Sequence, residues 1–205
     1  MTSPKRCLRY NSLSGAEMIE TERLRLRRWR DAGLLAFAAM NADPNVRRYF
    51  SSRLTREESD ASVARFIRMY ALDGYAFMAT ELRQTSEFIG LLGIQRMSFL
   101  LPGRTVPAVE IGWRFNEKSW GKGLATEGAR ACLDLAFKNF QLPEVVAFTT
   151  PANLPSRRVM EKLGMTRNPD DDFDDPRIAA GHPCQRHVLY RLQRSAWQSK
   201  KILSV

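Results

Sequence analysis

The spacing of hydrophobic and polar positions changes along the chain, and each change predicts an element. Leu24 and Leu26 alternate with Arg23, Arg25 and Arg27, a period of two that predicts a first strand ending at Trp29. Asp31 is placed to cap a short helix running through Met40 and stopping before Pro44. Thr55 and Glu58 have the spacing of a capping box. Val63, Phe66, Ile67 and Tyr70 follow at i, i+3, i+4 and i+7, which predicts an amphipathic helix with one buried face, closed by Gly74. Tyr75–Leu82 and Glu87–Met97 read as two strands joined by the polar segment Arg83–Ser86. Beyond the loop marked by Pro102, Gly103 and Pro107, Val109–Phe115 reads as a third.

Ala125, Ala129, Cys132, Leu133, Ala136, Phe137 and Phe140 then trace one face of a long helix, which Pro143 breaks. Glu144–Thr149 is a further strand, Pro155–Leu163 a short helix closed by Gly164, and Arg186–Leu192 a last strand. The order is a strand, two helices, three strands, a helix, a strand, a helix and one or two closing strands. Three strands in succession argue for an α/β protein with a mixed sheet, not for the strict alternation of a doubly wound fold.

At 205 residues the chain suits one domain with a full core. Residues 1–17 are polar and without period, and read as a flexible extension. Met18 looks like a natural domain start, which makes Met1 an upstream start codon. The domain is expected over 18–194, with 195–205 as a tail. No stretch has the length and apolarity of a membrane span or the form of a secretory signal. Three widely spaced cysteines, Cys7, Cys132 and Cys184, form no disulfide or zinc pattern, which fits a reducing cytoplasm. Cys132 falls within the helical apolar pattern and reads as a buried thiol. The net charge of +10 draws any polyanion, whether nucleic acid or a phosphate-bearing cofactor. The basic residues are scattered, and no aromatic–basic platform accompanies them, so nucleic acid is the weaker reading. No metal site is expected from His182 and His187; either could serve as a base, though a structural hydrogen bond is the plainer role.

The segment Trp120-Gly121-Lys122-Gly123-Leu124-Ala125-Thr126-Glu127 carries the most chemistry. It follows a strand and opens a helix. Its glycines allow unusual backbone angles and close approach of a ligand, and the N–H groups of a helix start attract an anion. Lys122 adds a cation. Together these make a pyrophosphate cradle, or else a tight turn with no ligand. It is neither a Walker P-loop nor a dinucleotide fingerprint, because Thr126 stands at the third glycine position.

The stretch Glu110-Ile111-Gly112-Trp113 with Trp120–Glu127 resembles the acetyl-CoA motif of the GNAT acetyltransferases. Asn153-Leu154-Pro155-Ser156 with Val159–Met165 is similar to their second motif, 30 residues on from Gly123 to Asn153. Glu22–Arg27 resembles the start of the RimJ/RimL-like branch, which acetylates ribosomal-protein N-termini. The resemblance covers Met18 to Leu192. Trp120 stands where the family more often has Arg or Gln.

The resemblance implies a GNAT-like acyl-CoA N-acyltransferase fold, a central mixed sheet of about seven strands flanked by about four helices. Acetyl-CoA would be the co-substrate, lying where Glu110–Phe115 and Glu144–Thr149 splay apart. Trp113, Phe115, Trp120, Gly121, Lys122, Gly123, Leu124, Ala125, Thr126, Asn153, Ser156 and Arg157 would hold it, with Arg158 also near its phosphates. A main-chain N–H around Trp113–Phe115 would polarise the thioester carbonyl. Glu110 is the candidate base, or else one half of a structural ion pair. Ser156 is the candidate proton donor to the leaving thiolate, because Met160 takes the place of the family's usual tyrosine; Asn153 and Ser156 equally suit a helix cap. The aspartates from Asp170 to Asp175 would attract a cationic acceptor, or form a solvated loop. The acceptor would be an amine, either a protein N-terminus or a small molecule such as an antibiotic. A non-catalytic acyl-CoA-binding regulator is the alternative of another class. The resemblance is compatible with a homodimer.

Overall fold

A computed structural model describes residues 18–202. The extension 1–17 and the question of the start codon fall outside the described residues. The chain opens with β1 (Met18–Glu20) and β2 (Leu24–Arg27), a tight antiparallel pair. Helices α1 (Leu34–Ala42), α2 (Pro44–Arg47) and α3 (Arg56–Asp73) follow. Asp31 does not cap α1: it lies inside a 3-10 turn, Asp31–Gly33, and Gly33 holds the cap position. Pro44 does not only stop a helix. It starts α2, where Asp43 accepts from the Asn45 and Val46 N–H groups and proline occupies the first turn.

The Thr55–Glu58 capping box opens α3, and Gly74 closes it at φ +77°. Val63 and Phe66 are buried on its inner face, whereas Ile67 turns outward and is 44% exposed.

Strands β3 (Phe77–Leu82), β4 (Phe88–Arg96) and β5 (Val109–Phe115) run antiparallel in sequence order. Helix α4 (Leu124–Lys138) crosses over to β6 (Glu144–Thr149), which lies parallel to β5. Then come α5 (Leu154–Leu163), the two-residue strands β7 (Thr166–Arg167) and β8 (Phe173–Asp174), β9 (Arg186–Gln193) and α6 (Arg194–Ile202). The described residues form a sheet ordered β1-β2-β3-β4-β5-β6-β9-β7, with β8 beside β9: nine strands, of which the three shortest, β1, β7 and β8, were not read from the sequence pattern. The sheet is mixed, as expected, through the single parallel neighbours β5 and β6.

One face packs on α4, α5 and α6, with Leu92, Ile111, Cys132, Phe137, Met160 and Trp197 in one cluster. The other face packs on α1 and α3 through Trp29, Phe37, Phe66 and Leu91. Gly128 sets how closely α4 sits: a Cβ there would come within 2.9 Å of Leu92 and 3.0 Å of Leu24. The segment from 195, expected as a tail, is helical through Ile202. Trp197 buries its ring beside Phe137 and donates its indole N–H to Asp134 at 2.8 Å.

Candidate functional site

Strand β5 meets β4 along seven consecutive pairs, Arg96↔Val109 to Gly90↔Phe115, but meets β6 at one, Glu110↔Val146. Just outside the β4 ladder, the Met97 N–H bonds to the Ala108 carbonyl and the Asn116 N–H to the Ile89 carbonyl, both at 2.9 Å. Antiparallel alternation therefore points the main-chain groups of Glu110, Gly112 and Arg114 at β4, and those of Ile111, Trp113 and Phe115 toward β6. Among the described residues no further β5–β6 pair follows Glu110↔Val146. Trp113 and Phe115 thus turn strand edge toward a wedge between two diverging strands. Main-chain N–H groups in such a place call for a partner.

At the wide end of the wedge the chain turns into α4. Asn116 caps a 3-10 turn over Glu117–Ser119, and Trp120 leads into Gly121 and Gly123, at φ +72° and +76°. Gly123 is the cap residue of α4 and brings no side-chain acceptor to its first N–H groups. Glu127, the acid of that first turn, is drawn aside. Its carboxylate accepts from Thr21 Oγ1 (2.6 Å), the Arg23 N–H (2.8 Å) and Arg23 Nε (2.6 Å). Burial alone would raise its pKa; these bonds outweigh burial and hold it below the usual glutamate range. Arg23 also donates to the Lys122 carbonyl at 2.9 Å, which ties the turn to the start of β2. No side chain crowds a Cβ position at Gly121, and at Gly123 the nearest atom is Arg23 Nη2 at 3.7 Å. An open helix start, free of its own acid, is a place for an anion.

A cleft of about 440 Å³ runs from this turn across the edge of the wedge. Trp113, Phe115, Trp120, Gly121, Gly123–Thr126, Asn153, Ser156 and Arg158 line one side; Asn45, Val46, Arg48, Tyr49, Phe50 and Arg114 line the other. Asn153 caps α5 by accepting the Ser156 N–H (3.3 Å) and donates to Thr149 Oγ1 (2.8 Å), which fixes α5 to the end of β6.

The chain matches the acetyltransferase (GNAT) domain family over residues 23–166. It belongs to that family, and it is an acetyl-CoA-dependent N-acetyltransferase. Among its relatives is the uncharacterized N-acetyltransferase YnaD of Bacillus subtilis (strain 168), 30% identical over 87% of this chain and 98% of the relative. The uncharacterized protein YkkB of the same organism is 35% identical over 71% of this chain and 83% of its own length. A GNAT-family acetyltransferase structure from Bacillus anthracis superposes with a TM-score of 0.69 at 28% identity, over 87% of this chain and 99% of that one.

In this acetyltransferase most of the residues singled out in sequence line the cleft. Lys122 does not; only its carbonyl is engaged, by Arg23. Arg157 turns away to Tyr190 Oη (3.3 Å) and the Pro151 carbonyl (3.1 Å), and its neighbour Arg158 lines the cleft instead. Met160, in the place of the family's tyrosine, is buried in the core.

Glu110 lies outside the cleft wall, on the α1–α3 face of β5, and accepts from Gln95 Nε2 at 2.6 Å. Burial pushes its carboxyl above the usual range, against the lowering effects of the Gln95 bond and of Arg177 and Arg65.

The aspartate loop is neither solvated throughout nor free for a cation. Asp171 is held by Arg191, Asp172 by Arg167 and the Leu189 N–H, Asp174 by Arg186, and the buried Asp175 by Arg177. Both histidines make local hydrogen bonds: His182 Nδ1 accepts the Cys184 N–H, and His187 Nδ1 meets the Gln185 carbonyl, each at 3.0 Å. Burial, its largest cause, lowers the pKa of His187. Cys132 is buried, and burial pushes its thiol up. Among the described residues no group of acids, histidines and cysteines could hold a metal ion, and no helix is long and apolar enough to cross a membrane.

The far wall was missed in sequence. Asn45 to Phe50 belong to α2 and the turn after it, whose Asp43-Pro44 start is a recognisable cap-and-proline signal. Arg114 sits in a strand whose polar positions gave no reason to separate it from other surface arginines.

Proposed function

We propose that acetyl passes from acetyl-CoA to a primary amine by direct attack in a ternary complex within the cleft. The observation that carries this reading is the single β5–β6 pair, because it leaves the Trp113 and Phe115 main chain directed at a wedge that a pantetheine arm can fill as a pseudo-strand. The pyrophosphate takes the open start of α4 at Gly121–Thr126, with Trp120 and Asn153 beside it and Arg158 replacing Arg157. The Trp113 N–H polarises the thioester carbonyl, a contribution of about 2.7–4 kcal/mol for such a donor. Ser156, on the cleft wall, returns a proton to the thiolate. Glu110 accepts the amine's proton through water, since it does not reach the cleft itself.

On this reading the amine arrives from the α2 side, and it is a protein N-terminus, as the RimJ/RimL-like resemblance implies. The exposed Asn45, Arg48 and Phe50 leave that entrance open to a chain. The test is to titrate acetyl-CoA into the enzyme by calorimetry and then to follow thiol release with N-terminal peptides and with free amines. Binding followed by acetylated peptide α-amines supports the reading. Acetylation of small amines alone moves the acceptor class, and binding without turnover on any amine overturns the transfer step.

A further inference from the structure

The wall facing the cofactor side of the cleft is cationic; Glu58 acts on its Arg47 from a distance, but no ion pair closes on its arginines. Arg114 and Arg48 line it, and Arg47 is buried behind Phe50. Among the described residues none of the three has a carboxylate within ion-pair distance, whereas Arg27, Arg167, Arg177 and Arg191 each do. Burial, with Arg47 and Arg65 nearby, pulls Arg114 down to about 9, and no acid offsets it.

Arg114 is nonetheless held firmly. Its Nη1 donates to Asn41 Oδ1 at 2.6 Å, and the fully buried Asn41 is fixed in turn by donating to Ser59 Oγ at 2.9 Å. Phe50 lies between two guanidinium groups, 4.2 Å from Arg47 and 4.4 Å from Arg114. Arg114 Nε is buried without a partner. With Nη1 occupied by Asn41, the Nε–Nη2 edge of the guanidinium is left, and that edge matches a carboxylate with two parallel hydrogen bonds. Arg114 follows Trp113 in β5, so this edge lies one residue from the strand position assigned to the thioester, on the opposite face of the sheet.

We infer that Arg114 is a specificity-determining residue that binds a carboxylate carried by the acceptor close to its reactive amine. The inference rests on the reading that the amine arrives from the α2 side. Two sources share this chemistry: the α-carboxylate of a free amino acid, and the acidic side chain of a peptide that begins with Asp or Glu. A polyamine is disfavoured at the same wall by like charge.

The test uses the full chain and matched acceptor pairs in a thiol-release assay. Each common amino acid is compared with its amide, and peptides beginning with Asp or Glu with their Asn or Gln counterparts. The acid member of a pair is expected to have a kcat/KM about 10- to 100-fold higher, through KM. Preference in the first set names an amino acid as the source, and in the second set a peptide. Arg114→Met should abolish the preference while leaving acetyl-CoA affinity near wild type, with a lowered melting temperature because the buried Asn41 Oδ1 loses its donor, and Arg114→Lys should restore part of it. Should Arg114→Met unfold the chain, Asn41→Ala, which releases the guanidinium, should reduce the preference instead. Equal rates for acid and amide, a preference that survives Arg114→Met, or loss of acetyl-CoA binding in that variant would overturn the inference and leave the transfer reading standing. No transfer to any member by enzyme that binds acetyl-CoA would overturn both.

Discussion

Trp120 donates its indole N–H to the Phe115 carbonyl at 2.8 Å, joining the open edge of β5 to the turn that starts α4. The family more often has Arg or Gln here. The indole brings no guanidinium or amide to the turn and instead stiffens it, with Arg48 from the far wall stacked 5.3 Å from its ring. Trp120→Ala is expected to weaken acetyl-CoA binding about 5- to 30-fold, the loss of one hydrogen bond with its packing. Trp120→Phe should fall between, keeping a ring for Arg48. Calorimetry reads both.

Gly123 sits at φ +76° as the first residue of the α4 cap. An alanine there costs about 1–2 kcal/mol in backbone strain, or a melting temperature lower by about 2–8 °C. Gly123→Glu adds a negative charge at the helix start and should abolish acetyl-CoA binding in a protein that still melts cooperatively. Undiminished binding by Gly123→Glu would remove the pyrophosphate from this turn.

Glu110 gives a pH-dependent prediction. Its pKa is raised in the native state, so between the ordinary glutamate value and the raised one the folded protein holds a proton that the unfolded chain has released. Its contribution to stability is complete below that window and is lost as pH rises through it. Glu110→Gln removes the titration while keeping an acceptor for Gln95. Its melting temperature relative to wild type should climb with pH across the window and then level off; a flat difference would show that the site does not titrate this way. If Glu110 is the base, the same variant should lose about 10²–10⁴-fold in kcat at unchanged acetyl-CoA affinity.

The cleft wall built from β5, the glycine turn and α5 was legible because its signals are local. Glycines before a helix, a strand ending at Phe115, and Asn153 four residues past Thr149 are short-range patterns. Their geometry follows from backbone rules. The opposite wall was not legible, because what matters there is long-range. Arg114 differs from the chain's other arginines only through Asn41 and Phe50, 73 residues away in the case of Asn41. Likewise nothing in the sequence said that Arg157 would turn to Tyr190 while Arg158 took the cleft. The aspartate loop misled for the same reason: its partners Arg167, Arg186 and Arg191 come together only when β7, β8 and β9 do.

Trp197 makes the last helix part of the core. Trp197→Ala should cost about 3–5 kcal/mol, and it also removes the indole N–H that Asp134 Oδ1 accepts. A chain ended at Arg194 should be destabilised to at least a similar degree. Chemical denaturation measures both, and little change in either would mean that α6 is dispensable.

The lone Glu110↔Val146 pair makes the sheet behave like a book with a weak spine. Strands β1 to β5 form one leaf and β6 to β9 the other; across the sheet they share a single rung, beside which α4, the Arg104–Glu144 ion pair and the packing of Met97 and Leu101 on Val146 and Leu189 hold them. A ligand that lies along the Trp113 and Phe115 edge supplies rungs the protein lacks, so occupancy and rigidity become the same event. At a hundredfold excess over its Kd such a ligand adds about 2.7 kcal/mol to apparent stability. Slower hydrogen exchange should appear first at the amides flanking that spine, and the enzyme between turnovers is then a looser molecule than the enzyme at work.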